Sequence, residues 1–485
     1  MLIATFVFYF ANKYAPELGL NRQVLPVRVR AWYMITSAAF LAHNFWLFVL
    51  LTAYVLWRAR KKDENPLALA ACVLFAVPLF SEQIPGFGLV NYFFDLNYFR
   101  LMVLVVFVPM AYAAYKESTP LKSTAVVWID RFLLLYVLYA TVPLFGETTF
   151  TGAIRMLFMV CVDIVIPYYV FSRCLRDRSQ IEDVLKMILL GLVVLGLIGF
   201  FEYAKHWLLY SRVSYALGVD AWGYGGYLRR EDSLRALAST GQPIVLGFLM
   251  AVAFILQFYI AESIKNTKIQ MVVLGLFLLG LYAPVSRGPW VGCFAGLLAF
   301  FFLSENFRKY ALKKLPFVVL AIFVLLLTPI GQKLLDKLPL IGSVDPMSVT
   351  YREDLLKNAL PVIQRSLWFG SNDYMEADDL QVLRANGIID IVNSYVAVTL
   401  SGGLIGLCLF VGYFVVVLVD LAKVVFSRNN AYSSLAANLM AIFFCIMVTI
   451  YTVSSITFIP VMYWVLGGLA AATIAQATKA RILTS

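Results

Sequence analysis

The chain has 485 residues, of which 62% are hydrophobic and only 14% are charged, and its formal net charge is +11. A composition this apolar excludes a string of soluble domains. None of the six cysteines forms a Cys-x-x-Cys pair, so neither a disulfide framework nor a zinc site is predicted. Basic loops that face anionic lipid explain the positive charge, and nucleic acid is not an expected partner.

Apolar blocks long enough to cross a bilayer recur along the whole chain. A spanning helix needs about 20 apolar residues, and a backbone in lipid has to satisfy its own hydrogen bonds. The sequence therefore predicts an all-α, polytopic membrane protein with about 12–14 spanning helices in one transmembrane domain, residues 1–485. The first block lacks a basic segment and a cleavage site, so we interpret it as a retained short span. The predicted spans lie near 1–11, 31–57, 66–84, 101–115, 125–145, 155–172, 184–205, 243–261, 269–285, 289–304, 316–330, 391–419, 434–454 and 457–476.

The connections between these blocks divide into a more basic and a less basic set. Nineteen Lys and Arg residues lie in one set, and seven lie in the short connections of the other. The positive-inside rule makes the first set cytoplasmic and places both termini there. The first set comprises 58–65, 116–124, 173–183, 262–268, 304–315, 420–433 and 477–485, and the second comprises 12–30, 85–100, 146–155 and 286–288.

Two long connections, 206–242 and 331–390, are predicted to form outer loops although they carry basic residues. Basic residues that oppose the topology signal are expected to be kept for an anionic ligand. The alternative is that long loops are translocated whatever their charge. The residues concerned are Arg212, Arg229, Arg230 and Arg235 in the first loop, and Lys333, Lys337, Arg352, Lys357, Arg365 and Arg384 in the second.

Two arginines lie directly at span boundaries on the outer side. Ser286-Arg287-Gly288 joins two apolar blocks with almost no loop, and the helix break at Gly288 and Pro289 leaves backbone N–H groups that suit an oxyanion. Arg235 lies just before a span and is of the residue type that binds phosphate bidentately. The alternatives are an Arg287 that snorkels to lipid headgroups and a solvated loop around Arg235.

A third arginine, Arg352, lies in the large outer loop. Thr350-Tyr351-Arg352-Glu353 fits a capping box at the start of an amphipathic helix over the membrane, with Gly370 as a stop. Arg352 would then lie in the first turn, where the helix dipole favours an anion. An ordinary capped surface helix is the alternative.

Polar and aromatic side chains near these arginines suit a sugar. Asn393 and Tyr395 begin a span and are able to order a sugar hydroxyl, while Trp222 and Tyr227 offer ring faces in the first long loop. An interfacial aromatic belt is the alternative for the rings. The glycines of 401–406 are predicted to allow close helix packing.

The acidic residues lead to two further expectations. Asp163 is isolated in an apolar block, so it either pairs with an arginine inside the bundle or is functional. The chain has no Asp-x-Asp, so a divalent-metal cage is not predicted, although Asp378 and Asp379 are able to contribute ligands.

In their order, these segments resemble the O-antigen ligase / Wzy-type polymerase superfamily of bacterial envelope polysaccharide enzymes. The resemblance covers roughly residues 180–475, and Ser-Arg-Gly between two spans is its most specific part. The segments that carry it are Arg235 leading to Gly241-Gln242-Pro243, Ser286-Arg287-Gly288, Tyr351-Arg352-Glu353, Asn393-Ser394-Tyr395 and Gly402-Gly403-Leu404-Ile405-Gly406.

The resemblance implies a glycosyltransferase of the bacterial inner membrane that works at the periplasmic face without a metal or other cofactor. Its donor would be an oligosaccharide on undecaprenyl pyrophosphate, and Arg235, Arg287 and Arg352 would hold the pyrophosphate. We predict a catalytic set of Arg287, Arg352, Glu353, Asn393 and Tyr395, and a substrate-binding set of Arg235, Arg287, Arg352, Ser286, Trp222 and Tyr227. The candidate general bases are Glu353, Asp373, Glu231 and Asp232.

One departure from the family pattern favours a polymerase. Ligases typically have His-Asn where this chain has Val392-Asn393, and neither His43 nor His206 is placed to replace that histidine. We therefore expect a polymerase that joins lipid-linked repeat units, with membrane lipid and a chain-length regulator protein as partners. A ligase that transfers glycan to lipid A–core is the alternative. A lipid-linked oligosaccharide flippase is the alternative from another class, but no internal repeat supports it.

Overall fold

The computed structural model describes residues 1–88, 90–117, 126–220, 224–230, 233–328, 346–384, 389–427 and 430–484. Helices dominate this part of the chain, and two short hairpins interrupt them. The hairpins are β1 (Ser81–Pro85) with β2 (Tyr92–Asn97) and β3 (Arg229–Arg230) with β4 (Ser233–Leu234). The helices are α1 (Leu2–Lys13), α2 (Leu25–Leu41), α3 (Phe45–Arg60), α4 (Pro66–Val73), α5 (Tyr98–Lys116), α6 (Val127–Thr141), α7 (Leu144–Glu147), α8 (Phe150–Arg173), α9 (Arg178–Lys205), α10 (Val213–Leu217), α11 (Pro243–Ala261), α12 (Thr267–Tyr282), α13 (Arg287–Leu303), α14 (Glu305–Leu326), α15 (Pro346–Arg365), α16 (Asp378–Gln381), α17 (Ser394–Val425), α18 (Ser433–Thr452) and α19 (Phe458–Thr484).

The predicted all-α polytopic fold is confirmed. Eight described helices are long and apolar enough to cross a membrane, or nine if α13 and the first part of α14, bent by 113°, count as one span. This number is lower than the predicted 12–14 because several apolar blocks form short helices. For example, α1 has 12 residues and α12 has 16.

Two blocks that were predicted as single spans do not form single helices in the structure, so those predictions are wrong. The block at 31–57 belongs to α2 and α3, because the chain turns where His43 has a φ of 51°. Asn44 then caps α3 by accepting the Leu47 N–H at 3.0 Å. The block at 66–84 is helical only as far as Val73.

The early end of α4 is possible because side chains from other segments bind the buried carbonyls at its end and just after it. Tyr98 donates to the Val73 oxygen at 2.8 Å, Ser239 to the Phe75 oxygen at 2.6 Å and Tyr210 to the Ala76 oxygen at 3.3 Å. Non-helical backbone at membrane depth is tolerated where protein surrounds it in this way.

The central helices of the bundle are α19, α11 and α9. In their spanning windows 94%, 83% and 72% of the residues are buried, against 22% for the span that begins with α6. Asp163 of α8 pairs bidentately with Arg100 of α5, at 2.9 Å from Nε and 2.7 Å from Nη2. The pairing alternative predicted for Asp163 is therefore confirmed.

Helix ends meet on two opposite faces. One of them, which we call the basic face, carries the connections that are rich in Lys and Arg. There, Tyr259 donates to Glu182 at 2.8 Å, Ser434 donates to Glu262 at 2.9 Å and Gln476 donates to the Leu175 oxygen at 3.2 Å. These contacts bring together the connections 173–183, 262–268 and 420–433. The opposite ends of the same helices form the site face, with the described parts of the two long connections and the α12–α13 turn.

The predicted position of residues 12–30 on the outer side is wrong. Lys186 donates to the Gly19 oxygen at 3.1 Å, and Asn266 donates to Glu17 at 3.2 Å, so this connection lies on the basic face. The sidedness of 12–30 is set by the buried Arg28, which needs carboxylate partners and finds them there. The correction moves four more basic residues to the basic face. It also removes the basis for placing the start of α1 on the same side as the end of α19.

Candidate functional site

The turn between α12 and α13 carries Ser286 and Arg287. Val285 has a φ of 46°, in the left-handed region that a β-branched residue rarely adopts. The turn packs closely on α11, since a Cβ on Gly247 would lie 3.2 Å from the Ser286 Cβ. Trp290 donates to the Leu281 oxygen at 2.8 Å and ties the start of α13 to the end of α12. The turn is therefore held in one strained conformation.

Arg235 contacts this turn directly. Its Nη2 donates to the Ser286 Oγ at 3.0 Å, and its Nε donates to the Pro284 oxygen at 3.2 Å. Ser286 occupies the N-cap position of α13, and its side chain makes no capping hydrogen bond within the described part of the chain. Its hydroxyl instead donates to the Pro284 oxygen at 3.3 Å. The serine thus positions an arginine at the helix start.

Glu202, near the end of α9, holds the segment that carries Arg235. Its side chain is fully buried and accepts three backbone N–H groups: Leu209 at 2.9 Å, Leu237 at 3.0 Å and Ala238 at 2.8 Å. One carboxylate therefore joins the beginning and the end of the first long connection. The position of Glu202 as an acidic residue near the end of a predicted span was visible in the sequence, but the backbone groups that it binds were not.

Arg352 of α15 approaches the same turn from the second long connection. Its Nη2 donates to the Thr452 oxygen at 3.3 Å. Thr452 also packs on Gly288, where a Cβ would lie 2.4 Å from its Oγ1. The end of α18 thus links Arg352 with the residue next to Arg287. We call Arg235, Ser286, Arg287 and Arg352 the arginine cluster.

A carboxylate outside the predicted catalytic and binding sets, Asp390, lies beside the cluster. Ser454, two residues after Thr452, donates to its Oδ1 at 2.7 Å. Tyr351 donates to the Asp390 backbone oxygen at 2.9 Å and accepts its N–H at 3.1 Å. Burial raises the pKa of Tyr351, which keeps its hydroxyl protonated as a donor. The sequence feature that could have indicated Asp390 is its position as an acidic residue just before a predicted span.

The other predicted acids and aromatic residues are exposed or lie outside the described residues. Glu353, next to Arg352, and Asp373 are both exposed. Tyr227 is 55% exposed. Trp222, Glu231 and Asp232 lie outside the residues that the structure describes. In the described part of the chain, no three His, Cys, Asp or Glu side chains are grouped to hold a metal ion.

Asn393 and Tyr395 use their polar atoms for folding. The Asn393 Oδ1 caps α17 by accepting the N–H groups of Tyr395 at 3.0 Å and Val396 at 3.2 Å. The Tyr395 hydroxyl donates to the Met447 oxygen of α18 at 3.0 Å. Both side chains thus start α17 and pack it on α18, and their catalytic role stays a prediction.

The capping box predicted at Thr350 is wrong, because α15 already begins at Pro346, a residue type suited to the first helical turn. Arg352 consequently lies in the second turn. The helix also ends at Arg365, before the predicted stop at Gly370.

Gly403 breaks α17, with a φ of 58° and a ψ of −163°. The segment that follows α15 enters this break. The Leu404 N–H donates to the Leu367 oxygen at 2.9 Å, and the Ser371 N–H donates to the Leu400 oxygen at 2.9 Å. The approach is close, since a Cβ on Gly370 would lie 2.5 Å from the Gly402 nitrogen. Gly370 and Gly403 thus admit a loop, whereas Gly406 packs on α6 as predicted, since a Cβ there would lie 3.2 Å from the Tyr139 ring.

The fold and the site define a multi-pass, all-α membrane protein with an arginine cluster at the helix ends of one face. Residues 272–411 match the O-antigen ligase family model (Wzy_C), which confirms the predicted resemblance to the O-antigen ligase / Wzy-type superfamily. The matched stretch contains Ser286, Arg287, Arg352 and Asp390, and Arg235 precedes it. The match supports a membrane enzyme that transfers glycan in the manner of a ligase or polymerase. No curated protein matches the chain.

Proposed function

We propose that this protein is a Wzy-type polysaccharide polymerase of the bacterial inner membrane. It transfers glycan from an undecaprenyl-pyrophosphate donor to a lipid-linked repeat unit at the periplasmic face. The supporting observation is the arginine cluster, which three separate segments build on the face opposite the basic face. The positive-inside rule makes the basic face cytoplasmic, so the cluster is periplasmic.

The arginine cluster suits a diphosphate attached to a lipid. Guanidinium groups bind phosphate oxygens bidentately and keep their charge at every physiological pH. Arg235 and Arg287 are half-buried at the helix ends, whereas Arg352 is exposed. A diphosphate there would leave its polyprenyl chain in the bilayer and project its sugar outward.

The reaction is then a single displacement at the anomeric carbon. An acceptor hydroxyl forms the new C–O bond, the bond to the pyrophosphate oxygen breaks, and the leaving pyrophosphate keeps the electron pair. The arginine cluster stabilises the charge that develops on this leaving group in a partly dry site. A carboxylate takes the hydroxyl proton. Asp390 is better held for this role than Glu353, because Ser454 fixes its side chain.

A ligase is the second candidate, because the matching family model carries that description. Val392 occupies the position where ligases typically have a histidine, and this favours the polymerase. Purified protein given only lipid-linked repeat units discriminates the two. A polymerase produces lengthened glycan, whereas a ligase produces none until lipid A–core is added. Movement of the donor between leaflets without lengthening would instead indicate a flippase.

The test of the proposal is the replacement of Arg287 by Ala and by Lys. We expect polymer of normal length to disappear in R287A, and R287K to rescue it poorly because a point charge cannot reproduce the planar fork. The measurement is glycan chain length on a gel at matched protein levels. Arg365→Ala is the control, since Arg365 is an arginine of the second long connection, at the end of α15, that pairs with Asp379. Full-length polymer in both Arg287 variants would contradict the proposal.

A further inference from the structure

A cavity of about 120 Å³ lies on the basic face, at the opposite end of the bundle from the arginine cluster. It lies between the end of α11 and the starts of α12 and α14. Its volume corresponds to about four waters. The lining side chains that matter are three amides, one carboxylate and aromatic rings: Gln257, Gln270, Asn306, Glu262, Phe258 and Tyr310.

Gln257 is the deepest polar residue of this cavity along α11. It is 4% exposed, and its Nε2 has no hydrogen-bond partner in the described part of the chain. A buried donor without an acceptor costs about 1–3 kcal/mol. An oxygen atom of a bound molecule would remove that cost.

Glu262 lies five residues further along, which is about 7.5 Å nearer the face at 1.5 Å per residue. It accepts a hydrogen bond from Ser434 at 2.9 Å. Desolvation by the neighbouring protein nevertheless raises the pKa of Glu262. A cationic group in the cavity would favour the charged carboxylate.

The aromatic lining also favours a cation. The Phe258 ring lies 4.9 Å from the Phe307 ring and 6.4 Å from the Tyr310 ring, measured between centroids. Aromatic faces attract ammonium groups. No Lys or Arg is found among the described residues that line the cavity, and Arg178, the basic residue that acts on Glu262 from nearby, is paired with Glu182. A headgroup with a net negative charge would therefore find little counter-charge there.

We infer that this cavity binds the headgroup of an aminophospholipid of the leaflet at the basic face, with a phosphate-ester oxygen at Gln257 and the primary ammonium at Glu262. The depths of the two side chains match those of the headgroup, because the phosphate of the lipid lies deeper in the bilayer than its ammonium, as Gln257 lies deeper than Glu262. The inference goes beyond glycan transfer and uses residues on the other face of the membrane.

The test measures lipid retention by the purified full-length protein in native mass spectrometry. The protein is offered equal amounts of phosphatidylethanolamine, phosphatidylcholine and phosphatidylglycerol with identical chains. We expect wild-type protein to retain phosphatidylethanolamine several-fold over the other two. E262Q is expected to bring phosphatidylethanolamine and phosphatidylcholine to parity, and Q257L to reduce the retention of both.

The control variant is Glu117→Gln, because Glu117 is an exposed acid on the same face that pairs with Arg176. It should retain lipids as the wild type does. Equal retention of the three lipids by wild-type protein, an unchanged preference in E262Q, or stronger retention of phosphatidylglycerol would each overturn the inference. If Q257L does not fold, E262Q decides alone. Since the readout is lipid retention, the result is independent of transferase activity.

Discussion

Among the residues that the structure describes, three non-glycine residues near the arginine cluster have left-handed backbones: Ala238, Val285 and Thr457, with φ values of 47°, 46° and 47°. Such conformations cost about 1–3 kcal/mol each and persist only where the surroundings hold them. Glu202 holds Ala238, and Thr457 contacts the Thr240 oxygen at 3.5 Å. The strain therefore accompanies the placement of Arg235 and Ser286 at the helix ends.

Glu202→Gln is expected to lower glycan transfer about tenfold. The amide replaces one acceptor oxygen by a donor that meets a backbone N–H, at a cost of about 1–3 kcal/mol. The measurement is the initial rate of polymer formation by purified protein. If Glu202 acts by positioning Arg235, the double variant E202Q/R235A should be no slower than R235A. Additive losses would show that Glu202 acts elsewhere.

Asp390→Asn is expected to reduce transfer by about two to four orders of magnitude, because general-base catalysis contributes about that much. Glu353→Gln serves as the matched comparison, since Glu353 is an exposed acid next to Arg352. We expect it to retain most of the activity. The measurement is the transfer rate as a function of pH for both variants. A larger loss in E353Q than in D390N would assign the base to Glu353.

At the scale of the elements, α13 packs on α18 through glycines spaced four residues apart. A Cβ on Gly288 would lie 2.4 Å from the Thr452 Oγ1, one on Gly292 would lie 2.0 Å from the Thr449 Oγ1, and one on Gly296 would lie 2.8 Å from the Ala441 oxygen. Small residues at this spacing let helix backbones approach closely in membranes. The contact fixes the start of α13, and with it Arg287, against the end of α18.

Gly292→Ala is expected to destabilise the protein by about 1–3 kcal/mol through overpacking against Thr449 and the Cys445 oxygen. Thermal unfolding of purified protein measures the change. Gly275→Ala in α12 is the control, because no atom of another described residue lies within 4 Å of a Cβ placed there. That variant should be neutral or slightly more stable, since alanine is the better helix former. Equal melting temperatures of the two variants would contradict the packing argument.

At the scale of the whole molecule, one buried arginine joins three parts of the chain on the basic face. Arg28 of α2 is 2% exposed and binds Asp63 at 2.8 Å and Asp183 of α9 at 2.6 Å. Asn65 adds a hydrogen bond to Asp183 at 3.1 Å. The group connects the N-terminal helices to the helix that carries Glu202 at its other end.

Arg28→Ala is expected to destabilise the protein by about 3–5 kcal/mol, because two carboxylates lose their buried partner. Arg22→Ala is the control, since Arg22 is exposed and contacts only a backbone oxygen at 3.3 Å among the described residues. The measurement is the thermal unfolding midpoint of both variants in one detergent. An equal midpoint for R28A and wild type would show that the ion group does not stabilise the fold.

Composition and apolar block length determined the fold class, because a lipid-embedded backbone has few ways to satisfy its hydrogen bonds. The block at 243–261 coincides with α11, since proline begins it and charged residues follow it. The arginines at span boundaries were also visible in the sequence, as was the family resemblance that the match to residues 272–411 confirmed.

Only the tertiary structure decided which residues meet. The contacts of Arg352 with Thr452 and of Arg235 with Ser286 join residues far apart in the chain, and no local pattern encodes such pairs. The early end of α4 and the side on which 12–30 lies depend likewise on distant partners, Ser239 and Asp183. Hydrophobic periodicity predicts a helix because a helix pairs its backbone groups within one segment. The partner of a buried charge or of an unpaired carbonyl is set instead by the tertiary fold.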